Sequence, residues 1–253
     1  MESSPDLQTL EKGDTMKGLV TVTVITLLWG TLAVAGPLEF FAGAGPSAAT
    51  LGSINDGIDT VNNIIRDLND DPRYEGSVLE LPHLGSGLFY NAGERYWITD
   101  RLALGGMLTY YKATTATNGA YDVVGVTETS DVSIDLKAQS VGLLATGKFV
   151  FLDVGLRLAA DVSVGYYYSG FHTAITFEMP STYDPISIEL PSGQGHYNGS
   201  SFGIEGGICL SFPIADWINV GTSVLYRSLT VQQLTDSEAR GFDFDGKRHS
   251  RGG

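Results

Sequence analysis

Residues 154–168 read VGLRLAADVSVGYYY. Every second residue from Leu156 gives Leu, Leu, Ala, Val, Val, Tyr and Tyr. The alternates from Arg157 give Arg, Ala, Asp, Ser, Gly and Tyr. Successive side chains of a strand point to opposite faces, so one face of this segment is apolar and the other carries charge. A soluble sandwich turns the apolar face to a core and the charges to water. A membrane barrel does the reverse, with lipid outside and charges within. Deciding between these two settles the fold.

Composition favours the second. The chain has 253 residues, 43% hydrophobic and 17% charged, with 32 glycines. Charged content is well below the roughly 25% of a soluble domain, and glycine is nearly twice the usual share of about 7%. Low charge with many Gly and Tyr suits an all-β protein with aromatic girdles. The net charge of −14 speaks against nucleic-acid binding, which needs a basic footprint. The one cysteine, Cys209, allows no internal disulfide, so stability must come from the sheet itself.

The segment MKGLVTVTVITLLWGTLAVAG (16–36) reads as an export signal. Lys17 supplies the positive start, 18–32 the apolar stretch, and Ala33-Val34-Ala35 a small-residue site with cleavage expected between Ala35 and Gly36. A transmembrane helix is disfavoured by the interspersed Thr, the cleavage site and the lack of a basic flank. Residues 1–15 are acidic and precede the signal, which marks Met16 as the expected start.

Strands are predicted at about 37–45, 83–98, 101–113, 131–151, 155–178, 196–212 and 217–232. Leu51, Ile54, Ile58, Val61, Ile65 and Leu68 recur at three and four, so 47–70 contains an amphipathic helix, centred on 50–68 and stopped by Asp70-Asp71-Pro72. Joints at 99–101, 152–154 and 214–216 are short, whereas 114–130 and 179–195 are longer and polar. Short turns alternating with long loops are the habit of outer-membrane barrels. From 217, WINVGTSVLYR sets Ile218, Val220, Val224 and Tyr226 against Asn219, Gly221, Ser223 and Arg227; from 202, FGIEGGICLSF does the same around Glu205. Such runs reach the span of a tilted transmembrane strand, roughly 9–11 residues. At 131–151 the apolar phase changes near Gln139-Ser140, which predicts a bulge there, and 83–98 is ambiguous in phase around Gly93-Glu94.

ERYWITDRLALGGMLTYY (94–111) and FPIADWINVGTSVLYR (212–227) each join an aromatic, a tight Asp turn and a Gly-bearing alternating strand ending in Tyr. They resemble the hairpins of small bacterial outer-membrane β-barrel proteins of the eight-stranded type. That resemblance implies a transmembrane antiparallel up-and-down β-barrel in the outer membrane, with outer-membrane lipid and the barrel-assembly machinery as partners. It implies a structural protein, a narrow channel or, less often, a lipid-modifying enzyme. Such barrels end in a strand closed by an aromatic residue. Here GFDFD (241–245) begins one that Lys247 to Gly253 cannot continue, so the record is expected to be truncated or frame-shifted after about Gly246.

The lumen-facing polar residues are expected to be Lys148, Arg157, Asp161, Ser163, Tyr167, Glu205, Asn219 and Arg227. Glu205 and Arg227 flank the 214–216 turn at similar spacing and should meet on adjacent strands. An ion-paired filling of a narrow interior is favoured over a selectivity cluster. The girdles are expected from Tyr96, Trp97, Tyr110, Tyr166, Tyr168, Phe212, Trp217 and Tyr226. The helix has Arg66 against Asp56, Asp59 and Asp67, unlike a basic interfacial helix, so packing on the protein is favoured. His172 and Ser169 are three apart and point to opposite faces, which rules out a dyad within the strand. No nucleophile elbow and no metal-ligand spacing occurs, so neither cofactor nor catalysis is expected, and Cys209 is expected to be inert. The rival reading is a soluble periplasmic β-barrel that binds an apolar ligand.

Overall fold

The structure is a computed structural model, and it describes residues 19–23, 29–33, 38–48, 51–125, 129–177, 193–215 and 218–229. Ten strands and one helix occur among the described residues: β1 (Leu19–Thr23), β2 (Trp29–Ala33), β3 (Leu38–Ala48), α1 (Gly52–Asp70), β4 (Tyr74–Val78), β5 (Ser86–Trp97), β6 (Leu102–Val123), β7 (Thr129–Asp153), β8 (Arg157–Phe177), β9 (Gly193–Ala215) and β10 (Ile218–Leu229). All strands belong to one antiparallel sheet. From β3 the order runs through β5, β6, β7, β8 and β9 to β10. β10 also pairs with β1 over Leu19–Thr23 and with β2 over Trp29–Leu32. β2 in turn pairs with β3. Thus two short strands within the stretch expected to be an export signal lie beside β10. Residues 238–253 and the loop 179–192 lie outside the described residues.

The long strands keep one alternation from end to end, but what each face carries changes midway. On β6 the exposed face runs Leu104, Gly106, Leu108, Tyr110 and then Lys112, Thr114, Ala116, Asn118. On β7 it runs Phe151, Phe149, Gly147, Ala145, Leu143, Val141 and then Gln139, Lys137, Asp135, Ser133. The switch falls on one register row. Tyr90, Tyr110, Val141 and Tyr168 are paired in turn, and the next residues on that face are Leu88, Lys112, Gln139 and Gly170. On the turn side of this row the exposed face is apolar apart from Glu94. On the far side it is polar apart from Leu88.

The bulge expected near Gln139-Ser140 is therefore absent. Pairing of β7 with both neighbours is continuous there, and the one irregularity against β8 lies between Val150 and Leu152. Ile134 and Leu136 point to the buried face, Val141 and Leu143 to the exposed one. The chain keeps its register while its surroundings invert, so a change of apolar phase arises without an extra residue. The same cause explains a second difference. Residues 114–123, expected within a long loop, continue β6, because their small and polar residues alternate between Thr115, Thr117 and Tyr121 on the buried face and polar exposed partners. β5 also keeps one phase through Gly93-Glu94, with Glu94 exposed and Arg95 buried.

α1 forms where three-and-four spacing is expected and ends at Asp70, with the Asp71 N–H donating to the Leu68 carbonyl. Its apolar face packs on the buried face of the far half: Ile58, Val61, Ile65 and Leu68 meet Tyr111, Tyr121, Val132, Ile134, Leu136 and Phe171 in one cluster. Between β4 and β5 an extended strap follows. Val78, Leu81 and Leu84, three apart, are buried in the same cluster. The backbone of each is held at both N–H and carbonyl by one asparagine of α1. Asn69 takes Val78 at 3.1 and 2.9 Å, Asn62 takes Leu81 at 2.7 and 2.9 Å, and Asn55 takes Leu84 at 3.0 and 3.5 Å. Seven helical residues advance about 10.5 Å, and three residues of extended chain advance about 9–10 Å. The two repeats stay in step, so a heptad of amides fits a triplet of backbone units. Two further strap carbonyls, on Leu79 and Pro82, accept from Thr117 at 2.6 Å and Thr115 at 2.8 Å on β6. The inward-facing residues of the strap beyond β4, Leu81 and Leu84, thus have their backbone polar groups met by side chains, as burial requires.

Candidate functional site: the buried charged layer

On the turn side of the switch, the buried face gathers the charged residues of the long strands together with Phe41, Met107, Leu144 and Leu225. β3 places Glu39 there, β5 places Asn91 and Arg95, and β7 places Thr146 and Lys148. β8 adds Asp161, Ser163 and Tyr167, β9 Glu205, and β10 Arg227. All are nearly inaccessible: Arg95 is 2% exposed and Lys148, Asp161, Glu205 and Arg227 are each 4%. The neighbouring exposed face carries Leu143 at 66%, Val162 at 63% and Phe202 at 65%. Polar inside and apolar outside inverts the order of a water-soluble domain, where such charges are rarely buried and apolar patches stay small.

Three cations meet three anions. Arg227 on β10 contacts Glu205 on β9 at 2.5 Å, and the two are register partners. The Tyr167 hydroxyl donates to the same carboxylate oxygen at 2.5 Å. The other two pairs reach across the sheet. Arg95 on β5 lies 2.9 Å from Asp161 on β8, and Lys148 on β7 lies 3.3 Å from Glu39 on β3. In each case the paired strands are three places apart in the sheet order. Only strong curvature brings them within hydrogen-bond distance. The Arg95–Asp161 contact is close in distance but forms no aligned hydrogen bond to either Asp161 oxygen. It acts as a charge pair, and Arg95 instead donates to Thr146 at 3.2 Å, which also accepts from Ser163 at 2.9 Å. Aromatic faces complete the cations' surroundings: Arg95 lies 4.1 Å over Phe41, and Arg227 lies 4.4 Å over Phe89.

The interior here is full. One cavity of about 10 Å³, lined by Asn91, Arg95, Met107, Asp161, Ser163, Glu205 and Leu225, is about large enough for a single water. Gly142 fits the same crowding, because a Cβ there would stand 2.5 Å from the Tyr167 ring. Toward the far end the layer meets the apolar cluster around α1.

Of the polar residues expected inside from the sequence, Lys148, Asp161, Ser163, Tyr167, Glu205 and Arg227 share this layer. Arg157 does not: it is half-buried at the turn end, paired with Asp153 at 2.9 Å and stacked 5.6 Å from Trp97. Asn219 is half-buried near the turn end of β10. Among the expected girdle residues, Tyr96, Tyr166, Tyr168, Phe212 and Tyr226 are exposed on the apolar face and Tyr110 is half-exposed there. Trp97 corrects the expectation: its ring lies beside Lys148 and Arg157, so it lies on the charged side of its strand. Trp217 lies outside the described residues. Glu39, Asn91 and Arg95 were not foreseen. Glu39 alternates with Phe40 in a strand too short to set a phase by itself, and Arg95 follows the Gly93-Glu94 ambiguity.

Ser169 and His172 lie on opposite faces of β8, and the Ser169 hydroxyl bonds to Ser140 at 3.1 Å. Cys209 is buried on the charged side. Among the described residues no group of three His, Cys, Asp or Glu side chains is arranged for a metal. Compared with known proteins, the chain matches no family model, no curated protein and no solved structure.

Proposed function

We propose that this chain is an outer-membrane β-barrel with a filled interior, acting as a structural membrane protein. One observation carries the reading: ion pairs join strands three apart on a buried polar face whose reverse side is exposed and apolar. Lipid outside and charges inside account for both faces at once. The apolar band also has a suitable width. On β9 it runs from Phe202 to Phe212, which reaches the roughly 9–11 residues of a tilted span, while Tyr90 to Tyr96 on β5 and Leu104 to Tyr110 on β6 mark shorter runs. Tyrosines on one register row would mark one interface.

A filled interior supports anchoring over conduction. The charged layer leaves room for about one water, and α1 with its strap occupies the far half. The strands beyond the Tyr90–Tyr110–Val141–Tyr168 row would project a polar rim past the headgroups. Export by the signal at 16–35 belongs to the same reading. The soluble periplasmic alternative would leave the Leu143, Val162 and Phe202 face in water, against the usual limit on apolar patches.

Fractionation tests it directly. The protein should be recovered with outer membranes, need detergent for extraction, and shift in gel mobility after boiling. Recovery in the detergent-free periplasm would overturn the reading. In planar bilayers it should give no steady conductance; a reproducible single-channel step would reinstate the narrow channel.

A further inference from the structure

The far halves of β8 and β9 carry a feature that the structural role does not use. His172 and His196 are register partners on the exposed face, outside the apolar band. His172 is half-buried and His196 exposed. Their rings lie 4.2 Å apart, centroid to centroid, at 33°, and the two Nδ1 atoms are 3.1 Å apart. We infer that this cross-strand pair is a binding site for a divalent first-row transition cation of the kind imidazole prefers.

Two imidazole nitrogens on one tetrahedral ion, each about 2.0–2.1 Å from it, stand on the order of 3.3 Å from each other. The pair is already near that spacing, and it sits on two strands held by continuous pairing from Arg157–Ser211 to Ile175–Gly193. Little reorganisation separates the free and loaded arrangements. No third His, Cys, Asp or Glu side chain joins the pair among the described residues, so the remaining positions fall to water or an outside donor. Such an open, two-ligand site has modest affinity, with Cu²⁺ ahead of Ni²⁺ and Zn²⁺ by the Irving–Williams order. Lys137 is the register partner of His172 on β7 and opposes a cation; Asp135, two residues away on that face, favours one. Among the described residues, the neighbours on the same face of β8 and β9 are Gly170, Ala174, Gln194 and Asn198, which carry no charge.

The test is titration of the full purified chain with Cu²⁺, and separately Zn²⁺, by calorimetry. One ion per chain should bind. His172→Ala and His196→Ala should each weaken binding about tenfold or more, whereas Lys137→Gln should tighten it about threefold by removing a nearby like charge. His83→Ala is the control, since that imidazole is engaged by Asp59 of α1 at 2.7 Å. Circular dichroism establishes that each variant is folded. A second readout uses the unaltered chain: Zn²⁺ should protect His172 and His196, and not His83, from diethylpyrocarbonate. Failure of saturable binding, retention of the ion by the His172→Ala/His196→Ala double variant, or equal reaction of His83, His172 and His196 with and without Zn²⁺ would overturn the site.

Discussion

The two halves of the sheet are built on the same alternation and solve opposite problems. Near the turns, β6 to β9 bury Thr, Ser and ionised groups and expose Leu, Val, Ile and aromatics. Beyond the Tyr90–Tyr110–Val141–Tyr168 row the same strands bury Ala113, Val132, Ile134, Leu136 and Phe171 and expose Lys112, Lys137, Asp135 and Gln139. The far half is ordinary: apolar residues gather around α1, and polar ones face out. The near half is inverted. One strand crossing both, such as β7, reads as a phase error unless the change of surroundings is recognised. On the proposed reading, the row where polarity inverts without a register shift marks the boundary between lipid and water.

The largest expected effect tests the near half. Asp161→Leu leaves Arg95 buried without its anion, which costs about 3–5 kcal/mol for a buried pair broken on one side. The companion Arg95→Leu/Asp161→Leu should recover most of it. Denaturant unfolding of the refolded chain in micelles measures both, and equal destabilisation by the single and double changes would mean that the pair is incidental. Next is the exposed face. Val162→Arg should impair insertion by about 2–4 kcal/mol if that face meets lipid, while Asp135→Arg on the far half should be tolerated. Equal tolerance of both would erase the distinction between the halves.

Within the far half, Asn62→Leu should cost about 1–3 kcal/mol, because the Leu81 N–H and carbonyl are left buried without partners. Hydrogen exchange should show the Leu81 amide losing protection first. The smallest effect lies at the end of α1. Arg73 hydrogen-bonds the Asp71 carboxylate and holds its pKa down at about 2. A folded value below the ordinary one means that this contribution is complete above the normal carboxylate range and fades as pH falls toward 2. Because both groups are at the surface, Asp71→Asn should flatten only the acid limb of a stability-against-pH curve.

Much of this molecule was legible locally. Period-two alternation located seven long strands, and three-and-four spacing located α1, because these patterns follow from backbone geometry alone. The Glu205–Arg227 meeting was also readable, since a tight turn sets the register of its hairpin. Glu39, Arg95 and the cross-sheet pairs were not, because they join strands distant in sequence and depend on how far the sheet curves. Nor was the strap: Val78, Leu81 and Leu84 repeat every three residues, a spacing that belongs to neither helix nor paired strand and takes meaning only beside Asn55, Asn62 and Asn69.

By itself, then, VGLRLAADVSVGYYY determined that one face is apolar and the other charged. The tertiary structure decided which is buried: Ala159, Asp161, Ser163 and Tyr167 turn inward, and Val162, Val164, Tyr166 and Tyr168 outward. The physical reason is that alternation separates two faces without saying which faces in. That choice is made by partners three strands away, where Arg95 meets Asp161.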